Sequence, residues 1–153
     1  MRRSSNPVGQ DVAARDLQGR PGAYLLVLEL DGPLALTIAG RPGSLGPGLY
    51  AYCGSAYGPG GLGARLARHL GPDKRPHWHI DRLTAAGRVL AAYAQPGGSE
   101  CALVAALRAL PETRVPLPGF GSSDCRRCPA HLIEISKGIA SPLAGLIRID
   151  PEG

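Results

Sequence analysis

Glycine and proline interrupt this chain so often that no regular element can run far. The 153 residues include 22 glycines and 15 prolines, gathered in short clusters without a Gly-X-Y period, so a collagen-like fibre is excluded. A load of about a quarter lies just under the level that marks low-complexity disorder. The hydrophobic share of 44% still allows a modest buried core at this length. What such a chain can build is one domain of short strands and helices joined by many turns.

Residues 1–20 are polar and aperiodic, and are expected to form a flexible tail ahead of a single domain over 21–150. Residues 22–30, GAYLLVLEL, form an apolar run bounded by Pro21 and the Asp31-Gly32-Pro33 turn, which predicts a strand. Residues 34–39 are its expected hairpin partner, and the Pro/Gly-rich stretch 41–48 reads as a loop. A short strand follows at 49–53, then a glycine-rich loop over 54–61. Leu62, Leu66 and Leu70 recur at four-residue spacing, which predicts a helix over 62–70 that ends at Gly71-Pro72. Pro76 suits the first turn of a second helix, to about Ala86. A strand over 88–95 leads to a third helix, capped by Ser99 and stopped near Leu110 by Pro111. Residues 116–129 read as a long loop, 131–136 as a strand, and 143–149 as a further candidate strand. The order predicts an α+β domain with a small, largely antiparallel sheet flanked by about three helices.

No apolar run approaches the roughly 20 residues of a membrane span, and the opening Met1-Arg2-Arg3-Ser4-Ser5 lacks the apolar stretch of a secretory signal. The expectation is therefore a cytoplasmic chain with reduced thiols at Cys53, Cys101, Cys125 and Cys128. Net charge is +5. Only Lys74 and Lys137 stand against fifteen arginines. A guanidinium fork suits phosphate, although a GC-rich coding sequence enriches Arg, Ala, Gly and Pro together.

Few residues can carry chemistry. Tyr24 and Tyr52 lie on neighbouring strands and can project from one sheet face. On the next helix Arg65 falls roughly 60° to one side of Leu62, at the border of the apolar stripe, while Arg68 points away from it. Arg65 could be aimed at a phosphate or could snorkel in solvent beside the core. Glu100, three residues before Leu103, sits on the inner face at a helix start. It could hold a divalent metal or simply complement the helix dipole. His69 reads as lining the same region, and His77 and His79 flank Trp78, each able to move a proton, touch phosphate or bond locally. Lys74 and Arg75 are candidate phosphate contacts or a solvated basic loop. Cys125, Cys128 and His131 place three soft ligands in one loop, with Cys101 as a candidate fourth for structural Zn2+. The helical angle turns Cys101 about 160° away from Leu103, so free buried thiols stand as the alternative.

These residues carry a resemblance. GAY at 22–24, YCGSA at 52–56, a glycine loop and GGLGARLARHL at 60–70 resemble the GIY-YIG nuclease superfamily. HWHID at 77–81, Glu100-Cys101, GFGSSDC at 119–125 and His131-Leu132 resemble one branch of small prokaryotic proteins within it. The likeness spans roughly residues 22–135. Ala23 and Cys53 replace the middle residues of the two triplets, and residues 25–51 make a longer separation than the usual hairpin.

The resemblance implies a metal-dependent endonuclease that hydrolyses DNA phosphodiester bonds, in repair or at branched structures. By the same resemblance one of Tyr24 and Tyr52 activates the attacking water, and Arg65 binds the scissile phosphate. Glu100 holds one divalent ion, Mg2+ first. Of the two histidines beside Trp78, His79 is preferred on the residues themselves for proton transfer or phosphate contact. A local hydrogen bond that positions the arginine helix is the equal alternative. By the resemblance Gly54 lets the backbone turn tightly after its strand; Gly54 and Arg65, joined on position and charge by Arg68, His69 and Lys74, are the candidate nucleic-acid contacts. A free phenol ionises near pH 10, and the charges of arginine and metal are expected to bring that value down. The alternatives are a nucleic-acid-binding module that does not cut and a protein-interaction domain whose charge is incidental.

Overall fold

In the computed structural model, residues 12–38, 40–71, 79–121, 128–136 and 145–150 are described. The order of elements begins β1 (Val12–Ala13), a 3-10 turn (Ala14–Leu17), β2 (Gly22–Leu30), β3 (Leu34–Ile38), β4 (Arg41–Leu45) and β5 (Gly48–Ser55). It continues α1 (Gly61–Leu70), α2 (His79–Ala86), β6 (Arg88–Pro96), α3 (Glu100–Arg108), β7 (Leu132–Ile135) and β8 (Ile147–Asp150). Six strands form a sheet in the order β1-β8-β6-β2-β5-β7, antiparallel except for β1 beside β8. The α+β class and the mainly antiparallel sheet are as the sequence predicts.

The sheet's centre follows from the sequence of β2. Its alternate residues Tyr24, Leu26, Leu28 and Leu30 enter one buried cluster, and Ala23, Leu25 and Val27 enter another on the opposite face. A strand apolar on both faces must be covered on both. Leu62 and Leu66 of α1 and Ile80 and Leu83 of α2 cover the first face. Leu103, Val104 and Leu107 of α3 cover the second. The result is a three-layer body with the sheet in the middle.

Two sequence expectations give way here. Residues 34–39 were expected to pair with the first strand, and 41–48 to be a loop. Instead β3 and β4 pair with each other as a separate two-stranded ribbon whose Leu36, Ile38 and Leu45 pack on the first core. Both edges of β2 are taken, by β5 and β6. Pro42 is tolerated in β4 because a two-stranded ribbon has only edges, where a missing N–H can face outward.

The expected tail over 1–20 is also integrated from Val12 onward. Val12 and Ala13 pair with Ile149 and Asp150, and Leu17 is buried in the first core. The next residues lie against the start of α1, where the Gly19 N–H bonds the Gly60 carbonyl at 2.9 Å and the Leu62 N–H bonds the Arg20 carbonyl at 2.7 Å. Gly63 makes this approach possible, since a Cβ there would come within 2.6 Å of the Gln18 backbone. The expected start of the second helix at Pro76 lies outside the described residues.

Candidate active site

The register of β2 and β5 brings the two tyrosines together. Tyr24 pairs with Gly54, and Tyr52 pairs with Leu26, so the two lie diagonally across one pair of strands and on one face. Their ring centroids are 6.3 Å apart, although a ribbon of two extra strands separates them in sequence. His69, buried on the last turn of α1, closes a triangle with centroids 5.2 Å from Tyr24 and 6.4 Å from Tyr52. The Tyr24 hydroxyl and His69 Nε2 are 2.8 Å apart. With its ring proton on Nδ1, His69 accepts from the phenol.

Gly54 has a different reason from the expected tight turn. It lies within β5 rather than at its end. A Cβ at this position would collide with Cζ and Oη of Tyr24. Glycine is needed so that the phenol can cross its neighbour and reach His69.

Arg65, half-buried on α1, donates from Nη1 to the Ser55 carbonyl at 3.2 Å. Its guanidinium also hydrogen-bonds the Tyr24 hydroxyl and favours ionisation of that group. Burial outweighs it, with the charges of Glu100 and Asp81 acting in the same direction as burial, and the phenol is held well above its ordinary range. Tyr52 is raised for the same reason, burial first, then Tyr24 and Glu100. The expectation that neighbouring charge lowers a tyrosine towards neutrality is therefore corrected for the free protein. Desolvating a phenolate costs more than one guanidinium returns.

Glu100 opens α3 behind the Ser99 cap, whose hydroxyl accepts the Ala102 N–H at 3.2 Å. Its carboxylate acts electrostatically on Tyr24, Tyr52 and Cys53, and its Oε2 lies 3.4 Å from Nδ1 of His131. Its charge is thus felt by the tyrosines across the sheet, while its side chain lies beside His131. A hard cation held by one carboxylate and several waters suits this half-exposed oxygen donor.

The remaining predicted residues divide. Arg68 forms a two-pronged pair with Asp81, at 2.7 and 2.8 Å, so its fork ties α1 to α2 rather than pointing at solvent phosphate. His79 accepts the Gly121 N–H on Nδ1 at 3.0 Å and packs 5.5 Å from Phe120. Burial lowers its pKa, and this local bond sets it in a supporting position beside Phe120, which itself packs on Tyr52. Lys74, Arg75, His77 and Cys125 lie outside the described residues. Tyr57 was not singled out from the sequence, although it sits in the glycine loop. Its exposed ring is pinned by a 2.7 Å hydrogen bond to the Gly98 carbonyl, which clips the loop before α1 to the turn before α3.

Cys101, Cys128 and His131 do converge. Their ligand atoms lie within 4.8 Å of one another, a group that could hold a metal ion. The helical angle of Cys101 misled because it considered only the sheet-facing side of α3. Cys128 and His131 come to that helix start, where Gly119 N–H bonds the Pro129 carbonyl at 2.7 Å and His131 N–H bonds the Phe120 carbonyl at 2.8 Å. The His131 carbonyl then accepts the Cys53 N–H at 2.9 Å.

Fold and site together define a small α+β protein with a buried tyrosine–histidine pair, an arginine and a carboxylate at one end of its sheet. Most of the chain, residues 23–148, matches the family described as domain of unknown function DUF123, and the chain belongs to that family. Neither the curated proteins nor the solved structures compared with it gave a match. Among the described residues no helix is long and apolar enough to cross a membrane.

Proposed function

We propose that this protein is a metal-dependent endonuclease that hydrolyses phosphodiester bonds in DNA, in the cytoplasm and in the service of repair. The observation that carries the reading is the Tyr24–His69 hydrogen bond, with Arg65 on the same phenol. Because Tyr24 is protonated in the free protein, it acts as a relay rather than as a ready base. As a water oxygen bonds to phosphorus, the water proton passes to Tyr24 and the phenolic proton passes to His69. The bond from phosphorus to the leaving oxygen breaks in the same displacement. Arg65 faces the negative charge that gathers on the phosphate. Glu100 would hold the divalent ion, Mg2+ first, which supplies Lewis-acid charge for the departing oxygen. The Cys101, Cys128 and His131 donors, soft and thiol-rich, suit Zn2+ rather than Mg2+.

The test incubates the full chain with duplex, nicked and branched DNA, with and without Mg2+, beside Glu100→Ala. The expected result is cutting that requires both Mg2+ and Glu100. Binding without metal-dependent cutting, or equal cutting by the variant, contradicts it.

A further inference from the structure

His131 is 3% exposed, and among the described residues neither ring nitrogen has a hydrogen-bond partner. A buried imidazole left in that state is costly. On one side lie the Sγ atoms of Cys101 and Cys128, 2.6 Å from each other. On the other lies Glu100 Oε2, 3.4 Å from Nδ1 but not aligned for a hydrogen bond. Metal-bound histidines commonly donate their second ring N–H to a carboxylate, which fixes the tautomer and strengthens the ligand. All the parts of such an arrangement are present.

We infer that Cys101, Cys128 and His131 bind a zinc ion that sets Glu100 in its working position. His131 ligates through Nε2 and donates Nδ1–H to Glu100, so the carboxylate proposed to act at the phosphate also serves as outer partner of the zinc. Sulfurs sharing a tetrahedral zinc, with Zn–S near 2.3 Å, stand about 3.8 Å apart, a separation within reach of donors that lie within 4.8 Å of one another. The inference concerns a second metal centre, and its link to cutting rests on the nuclease reading above. Glu100 becomes a positioning residue for zinc in addition to its proposed part at the phosphate.

The test loads the full chain, reduced and stripped of metal, with Co2+ and then measures Zn2+ affinity by competition with a chromophoric chelator. Wild type is expected to show a thiolate-to-cobalt charge-transfer band that Cys128→Ser weakens sharply. Glu100→Ala is expected to lower Zn2+ affinity about 10- to 100-fold. Glu100→Gln, which keeps an acceptor oxygen, recovers part of that loss. No charge-transfer band, or a Cys101–Cys128 disulfide that persists in reductant, overturns the site. A normal band with Zn2+ affinity unchanged in Glu100→Ala overturns the coupling. None of these readouts uses DNA, so a failure to cut would be seen separately.

Discussion

At the scale of single residues, the absence of an atom matters as much as the presence of one. Gly54 is where the Tyr24 phenol crosses a neighbouring strand. Gly54→Ala is expected to cost about 1–3 kcal/mol through overpacking and to displace the phenol, measured as a lower urea midpoint. His79 makes a pH-dependent contribution. Its folded pKa lies below the usual 6.5, so the unfolded chain takes up the proton first. That contribution is complete above about pH 6.5 and is lost as pH falls through that value towards the folded pKa. His79→Gln should therefore flatten the acid side of the thermal-midpoint profile between about pH 7.5 and 5; an unchanged slope would contradict the assignment. The candidate site was legible in the sequence as residue types in order: Tyr24, Tyr52, Arg65 and Glu100 all come to one end of the sheet. The partner of Tyr24 was not legible as such. His69 is a helix residue whose pairing depends on how α1 crosses β2, which spacing within the helix does not report.

At the scale of elements, α1 is joined to α2 by a charge pair of unequal burial. Asp81 is 1% exposed and Arg68 26%. Removing the arginine takes a two-pronged partner from an almost wholly buried carboxylate, and Arg68→Ala is expected to cost roughly 3–5 kcal/mol. Asp81→Asn leaves a guanidinium that can reach solvent, and should cost about half as much. Urea denaturation of the two variants and their double tests the asymmetry; equal losses would contradict it. The same element boundary shows why some of the fold escaped sequence reading. Leu62 and Leu66 announced α1 by their period. Arg41–Leu45 did not announce β4, because RPGSL has the composition of a turn and is held as a strand by Leu45 packing on the core. The 12–17 segment was hidden for a related reason. Its strand is two residues long and exists through pairing with β8, more than 130 positions away.

At the scale of the whole molecule, the sheet works as a plate whose two faces deliver different groups to one end. Tyr24, Tyr52, His69 and Arg65 come from the side of α1. Glu100, Cys101, Cys128 and His131 come from the side of α3. The glycine and proline clusters that limit element length also supply the turns at that end, and the Tyr57–Gly98 bond joins two of them. Tyr57→Phe should therefore leave the fold intact while reducing cutting a few-fold, read from cleavage rate against an unchanged urea midpoint. The central claim is that the phenol of Tyr24, bonded to His69 and Arg65, moves the proton of the attacking water. The most direct measurement is the single-turnover rate of DNA cleavage in Mg2+ by wild type and by Tyr24→Phe, which removes one oxygen and no bulk. The account predicts a loss of about 10²- to 10⁴-fold with the fold preserved. A Tyr24→Phe protein that cuts at the wild-type rate would contradict it.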